Sequence, residues 1–369
     1  MMKTVIVTDC KYRMSIAAIR ALGKAGFRVI GTQTQRESDG DVPAFSSRYM
    51  DLHYFLEGSV NDPEYKDRLL ALIQQYEHPA LLCIGAVTLN TVSRFANAFS
   101  PFCDFLIAEP AVLDALNDKE CVHQRAEELG LCVPKQYAGL PDEYPVVVKP
   151  HCGEKFGLSA GERYAVAHNR EQCAAILEKM KQYDPAPLIQ QKIEGQGKGA
   201  CLLIGKDGQL INAVCHKRIR EYPIAGGPST CCESFYDEKL IADAYSLLSS
   251  FGFIGMAMVE FKGDAILEVN PRIWGSFPMT ECCGSTFTRD YVCAACGESV
   301  AYQPGHYQRA CRMRFLLNDT LSILKHLGKG HFKIALSGIL DTFRAREALF
   351  ARKDWRPFLN YLRKSLCQR

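Results

Sequence analysis

Glu260, Glu268, Asn270 and Arg272 fall within one short run, Gly255 to Arg272, that reads Gly-Met-Ala-Met-Val-Glu-Phe-Lys-Gly-Asp-Ala-Ile-Leu-Glu-Val-Asn-Pro-Arg. The run has the pattern of two β-strands reversing around Gly263-Asp264. A two-residue turn sets Val259 opposite Glu268 and interrupts the apolar face. A three-residue loop, Gly263 to Ala265, pairs Val259 with Val269 and Phe261 with Leu267, leaving one face continuously apolar. A buried face of that kind pins strand register. Glu260 then stands opposite Glu268 on the other face, with Asn270 beside them. Facing like charges destabilise a strand pair, and a divalent cation offsets that repulsion. Two carboxylates and an amide suit Mg²⁺, which completes its octahedron with water and phosphate oxygens. Arg272 suits a phosphate or a developing oxyanion. The plain alternative for such a hairpin is a solvated polar face.

Other basic residues stand where anions bind. Lys149 ends the apolar run Val146-Val147-Val148, and a glycine-bearing loop follows from Cys152 to Gly161. That loop lacks P-loop spacing, since no Gly-Lys-Ser/Thr follows it. Lys119 opens a helix capped at Asn117-Asp118, where the dipole and free N–H groups favour negative charge. In His216-Lys217-Arg218-Ile219-Arg220, strand alternation puts Arg218 and Arg220 on one face with His216 beside them. Guanidinium forks suit carboxylate or phosphate, and the Gly226-Gly227 pair downstream frees backbone N–H groups. Trp274 and Ser276 belong either to the floor of such a site or to the core.

The elements that must position these residues show in the hydrophobic rhythm. Residues Thr4 to Thr8 form a β-branched run, Ser15 to Lys24 has helical spacing, and Phe27 to Gly31 is a second strand. Helices near 63–76 and 89–99 alternate with strands near 81–84 and 105–108. This alternation predicts a parallel, doubly wound sheet. Its first turn, Asp9-Cys10-Lys11-Tyr12-Arg13, has none of the glycines of a dinucleotide fingerprint, so no dinucleotide site is expected there. A new unit begins near Pro110, and from Ala200 onward strands dominate, with a helix near 238–251.

Composition bounds the rest. The chain has 369 residues, 47% hydrophobic and 23% charged, with a net charge of +3. That is a globular composition and excludes a disordered chain. No apolar run reaches membrane-spanning length, and the first residues turn polar too soon for a signal peptide. Seventeen cysteines, an odd number, point to free thiols and a cytoplasmic protein. Cys293-Ala294-Ala295-Cys296 lacks the second pair a structural zinc needs. Residues 312–369 carry 13 Lys/Arg against 4 Asp/Glu, a balance of +9 on a body of −6. The helical stripes of this tail, with Leu321, Leu324, Leu327, Ile334, Ile339 and Phe343, are expected to pack on the acidic body. Contact with an anionic membrane surface is the second expectation. Nucleic acid is not expected as a partner, because aromatics are not interleaved with the basic residues.

The ordered set Asp118-Lys119, Val147-Val148-Lys149-Pro150, the glycine loop, Ile189-Gln190-Gln191-Lys192-Ile193-Glu194-Gly195 and Glu260…Glu268-Val269-Asn270-Pro271-Arg272 resembles the ATP-grasp superfamily. The closest flavour is that of carbamoyl-phosphate-synthetase-like enzymes and carboxylate–amine ligases. The resemblance spans about residues 1–310. It implies an α/β protein with an N-terminal doubly wound parallel-sheet domain over 1–110 and a two-lobed ATP-grasp α+β domain over 111–310. The small lobe would cover about 133–192, and a basic helical segment, 311–369, would follow. It also implies that Lys119 and Lys149 hold the ATP phosphates and that Gln190, Gln191, Lys192 and Ile193 form the hinge against adenine. Glu260, Glu268 and Asn270 would bind one or two Mg²⁺ ions, with Mn²⁺ a substitute, and Arg272 would face the γ-phosphate and an acyl phosphate. Arg218 and Arg220 would complete the acyl-substrate site. Gln191 departs from the acidic residue common at that hinge position. The activity implied is ADP-forming coupling of a small carboxylate to an amine, as in homodimeric ligases of this kind. Phosphoryl transfer to a hydroxyl and a non-catalytic nucleotide-binding module are the alternatives.

Overall fold

The computed structural model describes residues 2–34, 42–151, 164–224 and 226–367. The first unit is a four-stranded parallel sheet in the order β3-β2-β1-β4. Its strands are β1 (Thr4–Val7), β2 (Arg28–Thr34), β3 (Leu52–Leu56) and β4 (Ala80–Leu82). Helix α1 (Arg13–Lys24) buries Ile16, Ile19 and Leu22, the residues whose spacing predicts it. Helices α2 (Tyr65–Ile73), α3 (Ala86–Arg94), α4 (Ala96–Phe99) and α5 (Pro110–Asn117) complete the layer. The strand expected at 105–108 does not form. A single bridge joins Asp104 to Ala80.

A second, antiparallel sheet of order β5-β8-β6-β7 follows. Helix α6 (Lys119–Glu128) begins at the predicted cap, where the Asp118 carboxylate accepts the N–H groups of Glu120 and Cys121. Next come β5 (Gln136–Tyr137), β6 (Val146–Lys149), β7 (Ala165–Ala167), α7 (Arg170–Met180) and β8 (Leu188–Gln191). Val146, Val148, Cys173 and Ile189 give this sheet a small core of its own.

The third sheet has seven strands, ordered β13-β12-β9-β10-β11-β14-β15. They are β9 (Gly197–Ile204), β10 (Leu210–Glu221), β11 (Ser229–Phe235), β12 (Gly255–Lys262), β13 (Ala265–Asn270), β14 (Arg312–Arg314) and β15 (Arg346–Glu347). Helix α8 (Glu238–Ser250) covers one face, with α9 (Pro278–Cys282) and α10 (Phe287–Ala295) on the other side. Alternation along β12 sends Ala257, Val259 and Phe261 into one core with Leu247 and Leu248, whereas Met256 and Met258 join the other with Trp274 and Phe287. Each buried Val, Leu, Phe or Met among them contributes about 1.5–3 kcal/mol through apolar burial.

The C-terminal segment is helical, with α11 (Leu316–Gly328), α12 (Phe332–Arg344) and α13 (Arg356–Cys367). It docks by a device opposite in sign to its composition. Its acidic residues Asp319, Asp341 and Asp354 are buried and grip arginines of the body. Asp354 accepts from Arg20 Nε at 2.7 Å, Ser47 Oγ at 2.9 Å and the Arg48 N–H at 2.8 Å. Arg13, the first residue of α1, stacks on Phe315, 3.6 Å from its ring centre. The stripe expected to pack on the body does not: Leu324, Leu327, Ile334, Ile339 and Phe343 are exposed. Among the described residues, fifteen cysteines are free and eleven of these are buried, as small apolar residues.

Candidate active site

The β12–β13 hairpin pairs Val259 with Val269 and Glu260 with Glu268, as the apolar pattern predicts. Its turn differs. Lys262 pairs with Ala265 and Phe261 with Ile266, so the turn has two residues, Gly263 and Asp264, and Leu267 is the extra residue of a β-bulge. Gly263 takes a φ of 58°, which a tight reversal needs and glycine adopts without strain. The expected partnership of Phe261 with Leu267 is thereby corrected. The bulge absorbs one residue, so a tight turn and a continuous apolar face coexist.

The bulge also supplies an acceptor. The Leu267 carbonyl, displaced from the ladder, accepts from His123 Nε2 at 3.0 Å and Lys149 Nζ at 3.4 Å. His123, on α6, takes a hydrogen bond from Gln190 Nε2 on its Nδ1 at 2.8 Å. This neutral imidazole therefore ties β8 to β13. Burial, with Lys149 nearby, pushes its pKa down to about 4. Nothing in the sequence pattern singled out His123; its place within a helix otherwise rich in charge is the only trace.

Around the carboxylates the cations converge. Glu260 accepts from Arg218 Nη2 at 3.3 Å and from Asn270 Nδ2 at 3.2 Å. Glu268 pairs with Lys119 Nζ at 3.3 Å. Burial and the neighbouring Glu268 hold the Glu260 carboxyl above its ordinary value. Burial also acts to raise Glu268, but Lys119 and Lys149 outweigh it and hold that carboxyl low. Lys149 sits in a dry position at the end of β6, and desolvation lowers its pKa to about 8 against the attraction of Glu268. Arg272, half-buried, donates to the Ile273 carbonyl at 3.0 Å and adds its positive field to both carboxylates. This is a donor set for a hard divalent cation, two carboxylates and one amide, with cations left over for phosphate oxygens. Among the described residues no group of three His, Cys, Asp or Glu side chains converges on a metal position. The set accordingly fits an ion that takes its remaining ligands from water and substrate.

A glycine of β9, Gly199, makes room for His216 beside this site. Gly199 pairs with both Glu260 and His216, and a Cβ there would lie 2.3 Å from the His216 ring. Arg218 passes over Gly197, whose Cβ would sit 3.6 Å from that of Arg218, to reach Glu260. His216 itself turns inward, its Nδ1 donating to the Gly199 carbonyl at 3.2 Å and its Nε2 accepting from Ser276 Oγ at 2.5 Å.

Arg220 is not part of this cluster. Register shifts in β10 after Arg218 break the alternation that places the two arginines together. Its guanidinium is buried and committed, Nε and Nη2 to Asp319 at 2.8 and 2.9 Å and Nη1 to Asp341 at 2.7 Å. It anchors the C-terminal helices, which sequence alternation alone does not reveal. The hinge residues divide as well. The Gln190 amide is engaged with His123, Gln191 is exposed, Lys192 pairs with Glu194, and Ile193 is half-buried after the strand ends. Trp274 belongs to the core, edge-on to Phe277 and Phe287. The loop from Cys152 to Gly161 lies outside the described residues.

A family model described as an ATP-grasp domain matches residues 116–276, the stretch that holds Lys119, Lys149, the β8 hinge and the β12–β13 hairpin. The match covers a little under half of the chain and identifies an ATP-grasp domain over those residues. Solved structures give the same fold. The biotin carboxylase domain of Hydrogenobacter thermophilus 2-oxoglutarate carboxylase, a structure with MgADP, ADP and bicarbonate, superposes with a TM-score of 0.65 at 15% identity. That alignment covers 85% of this chain and 73% of the other. Staphylococcus aureus N5-carboxyaminoimidazole synthetase, complexed with ADP, gives 0.62 at 14% identity over 89% of this chain and 86% of that one. An L-amino acid ligase from Bacillus licheniformis gives 0.54 at 15% identity over 79% and 74%. No curated protein sequence matches the chain.

Proposed function

We propose that the protein is an ATP-dependent carboxylate–amine ligase, which activates a small carboxylate as an acyl phosphate and couples it to an amine with release of ADP and phosphate. The observation that carries this reading is the hairpin that sets Glu260 against Glu268 and Asn270 inside a ring of Lys119, Lys149, Arg218 and Arg272. Supporting it, two of the three similar structures named above are complexes with ADP and the third is an amino acid ligase.

On this reading Glu260, Glu268 and Asn270 hold Mg²⁺, which when bound neutralises phosphate charge and orients it for in-line attack. Lys119 and Lys149, now paired with Glu268 or the Leu267 carbonyl, exchange those partners for phosphate oxygens. Lys149 does so from a dry site, where a charge-assisted bond is stronger than in water. The hinge after β8, Gln191 to Ile193, offers its backbone edge to adenine, with Gln190 held by His123. Arg218 and Arg272 bracket the carboxylate and the developing acyl phosphate, so charge stabilisation and positioning carry the rate. The chemistry needs no nucleophilic side chain, and buried thiols such as Cys215, raised to about 12, are poorly suited to be one.

The test is Mg²⁺-dependent ADP release from the full chain across paired carboxylates and amines, with product masses read from the same wells. A product one water lighter than its two substrates is the expected result. A phosphorylated product that needs no amine, or nucleotide binding without ADP release from any pair, overturns it.

A further inference from the structure

Helices α11 and α12 carry their amphipathicity inside out. The face of α11 that packs on the body presents Asp319, Ser322 and His326, and that of α12 presents Ala335, Gly338 and Asp341. The large apolar residues point the other way. On α12, Phe332, Leu336, Ile339 and Phe343 recur at positions i, i+4, i+7 and i+11, which is one helical face. They are 67, 59, 51 and 86% exposed. On α11, Leu324 is 58% exposed. A helix pair held to its protein by buried ion pairs while its leucines and phenylalanines face water is shaped for an apolar contact elsewhere.

The charge around this face identifies the contact. All four acidic residues of segment 312–369 are spent inside the fold. Asp319 and Asp341 bind Arg220, Asp354 binds Arg20, and Glu347 accepts the Leu316 and Leu349 N–H groups. Lys325, Lys329 and Lys333, which adjoin the apolar stripe, are exposed. The accessible surface is therefore hydrophobic and uniformly basic. A second copy meeting it face to face would bring like charges together, because a two-fold interface pairs each patch with itself. An anionic bilayer offers both complements at once, acyl chains for Phe332, Leu336 and Phe343 and phosphate headgroups for the lysines. No helix of the described residues is long and apolar enough to cross a membrane, so the contact is with one leaflet.

We propose that the α11–α12 hairpin docks the protein on an anionic lipid surface, its apolar face sunk to the level of the headgroup–acyl boundary. The site would then act near substrates delivered at, or products used at, that surface. This inference does not depend on the ligase reading, because its measurement needs no turnover.

The experiment is co-sedimentation of the full chain with vesicles of phosphatidylcholine alone and of phosphatidylcholine with phosphatidylglycerol. Binding is expected only to the second, and is expected to weaken at high salt. Replacing Lys325, Lys329 and Lys333 by Gln should weaken partitioning by roughly fivefold for each residue. The double variant L336S/F343S should abolish it while keeping the thermal midpoint, since both side chains leave water only on docking. Equal binding to both vesicles, binding that ignores both sets of substitutions, or no binding overturns the proposal. So does a concentration-dependent dimer, broken by L336S/F343S, in protein that does not sediment with lipid; that result assigns the face to a second copy.

Discussion

Two arginines one residue apart in β10 do different work, and their variants should separate. Arg218 lies over Gly197 and reaches Glu260 in a half-open setting, so Arg218→Met is expected to lower ADP release by about 100-fold or more with little change in the urea midpoint. Arg220 is sealed between Asp319 and Asp341. Removing it leaves the buried Asp319 without a cation and Asp341 with Arg312 alone, and Arg220→Met should cost about 3–5 kcal/mol in urea unfolding. Equal loss of stability in both variants would reject this division. Glu268→Ala removes one of two facing carboxylates and leaves Lys119 and Lys149 without their nearest counter-charge. Mg-ATP-dependent ADP release should disappear while the far-ultraviolet circular dichroism stays that of the parent. Normal turnover in Glu268→Ala would remove the metal assignment.

At the level of elements, the hairpin and the small sheet are joined by one imidazole. His123 connects Gln190 on β8 to the Leu267 carbonyl on β13, and that carbonyl is available because the bulge takes Leu267 out of the ladder. His123→Leu fills similar space but leaves a buried amide and a carbonyl short of a partner. It should cost about 1–3 kcal/mol and should weaken nucleotide binding more than it changes the rate at saturating ATP. A variant that loses stability yet binds nucleotide as tightly as the parent would make His123 structural only. Alternation alone argues against the two-residue turn, since it cannot anticipate an extra residue in one strand. Strand β3 carries no such signal: Leu52 and His53 are exposed at a sheet edge, so its burial shows no two-residue period. The segment 105–108 has strand-like residues but gains only one bridge, at Asp104.

Across the whole molecule, buried titratable groups set the acid response, and they oppose one another. His123 and His216 are held neutral with pKa values near 4. Between about pH 4 and 6.5 the unfolded chain binds more protons at these two positions, so their contribution makes stability fall as pH falls, by on the order of 3 kcal/mol each. Glu281 and Glu347 are raised by burial to about 7. There the folded state binds more protons between about pH 4.5 and 7, so their contribution makes stability rise as pH falls. The double variant E281Q/E347Q should be more stable than the parent at pH 7 and should lose stability on acidification more steeply than the parent. A parallel pH profile for parent and variant, followed by urea titration, would contradict these assignments. The same scale explains the tail. Its net charge of +9 suggests docking through lysines on an acidic body, whereas three buried aspartates dock it on arginines and leave the basic residues outside.

Elements whose period is enforced by burial on one side are legible in residue order alone: β1, α1, α6 with its Asp118 cap, and the pairing of Val259 with Val269 that sets Glu260 against Glu268. The ordered lysines, carboxylates and asparagine that resemble an ATP-grasp domain are legible in the same way, as residue types at strand and helix ends. Contacts that cross between elements are set by the packed fold. Arg220 faces Asp319, 99 positions away, His123 reaches Leu267 across 144, and Asp354 returns to Arg20 across 334. The face of α11 and α12 that meets the body was decided there as well. Local periodicity reports that a helix has two unlike faces, but which one is turned inward depends on whether the body offers an apolar groove or a buried arginine.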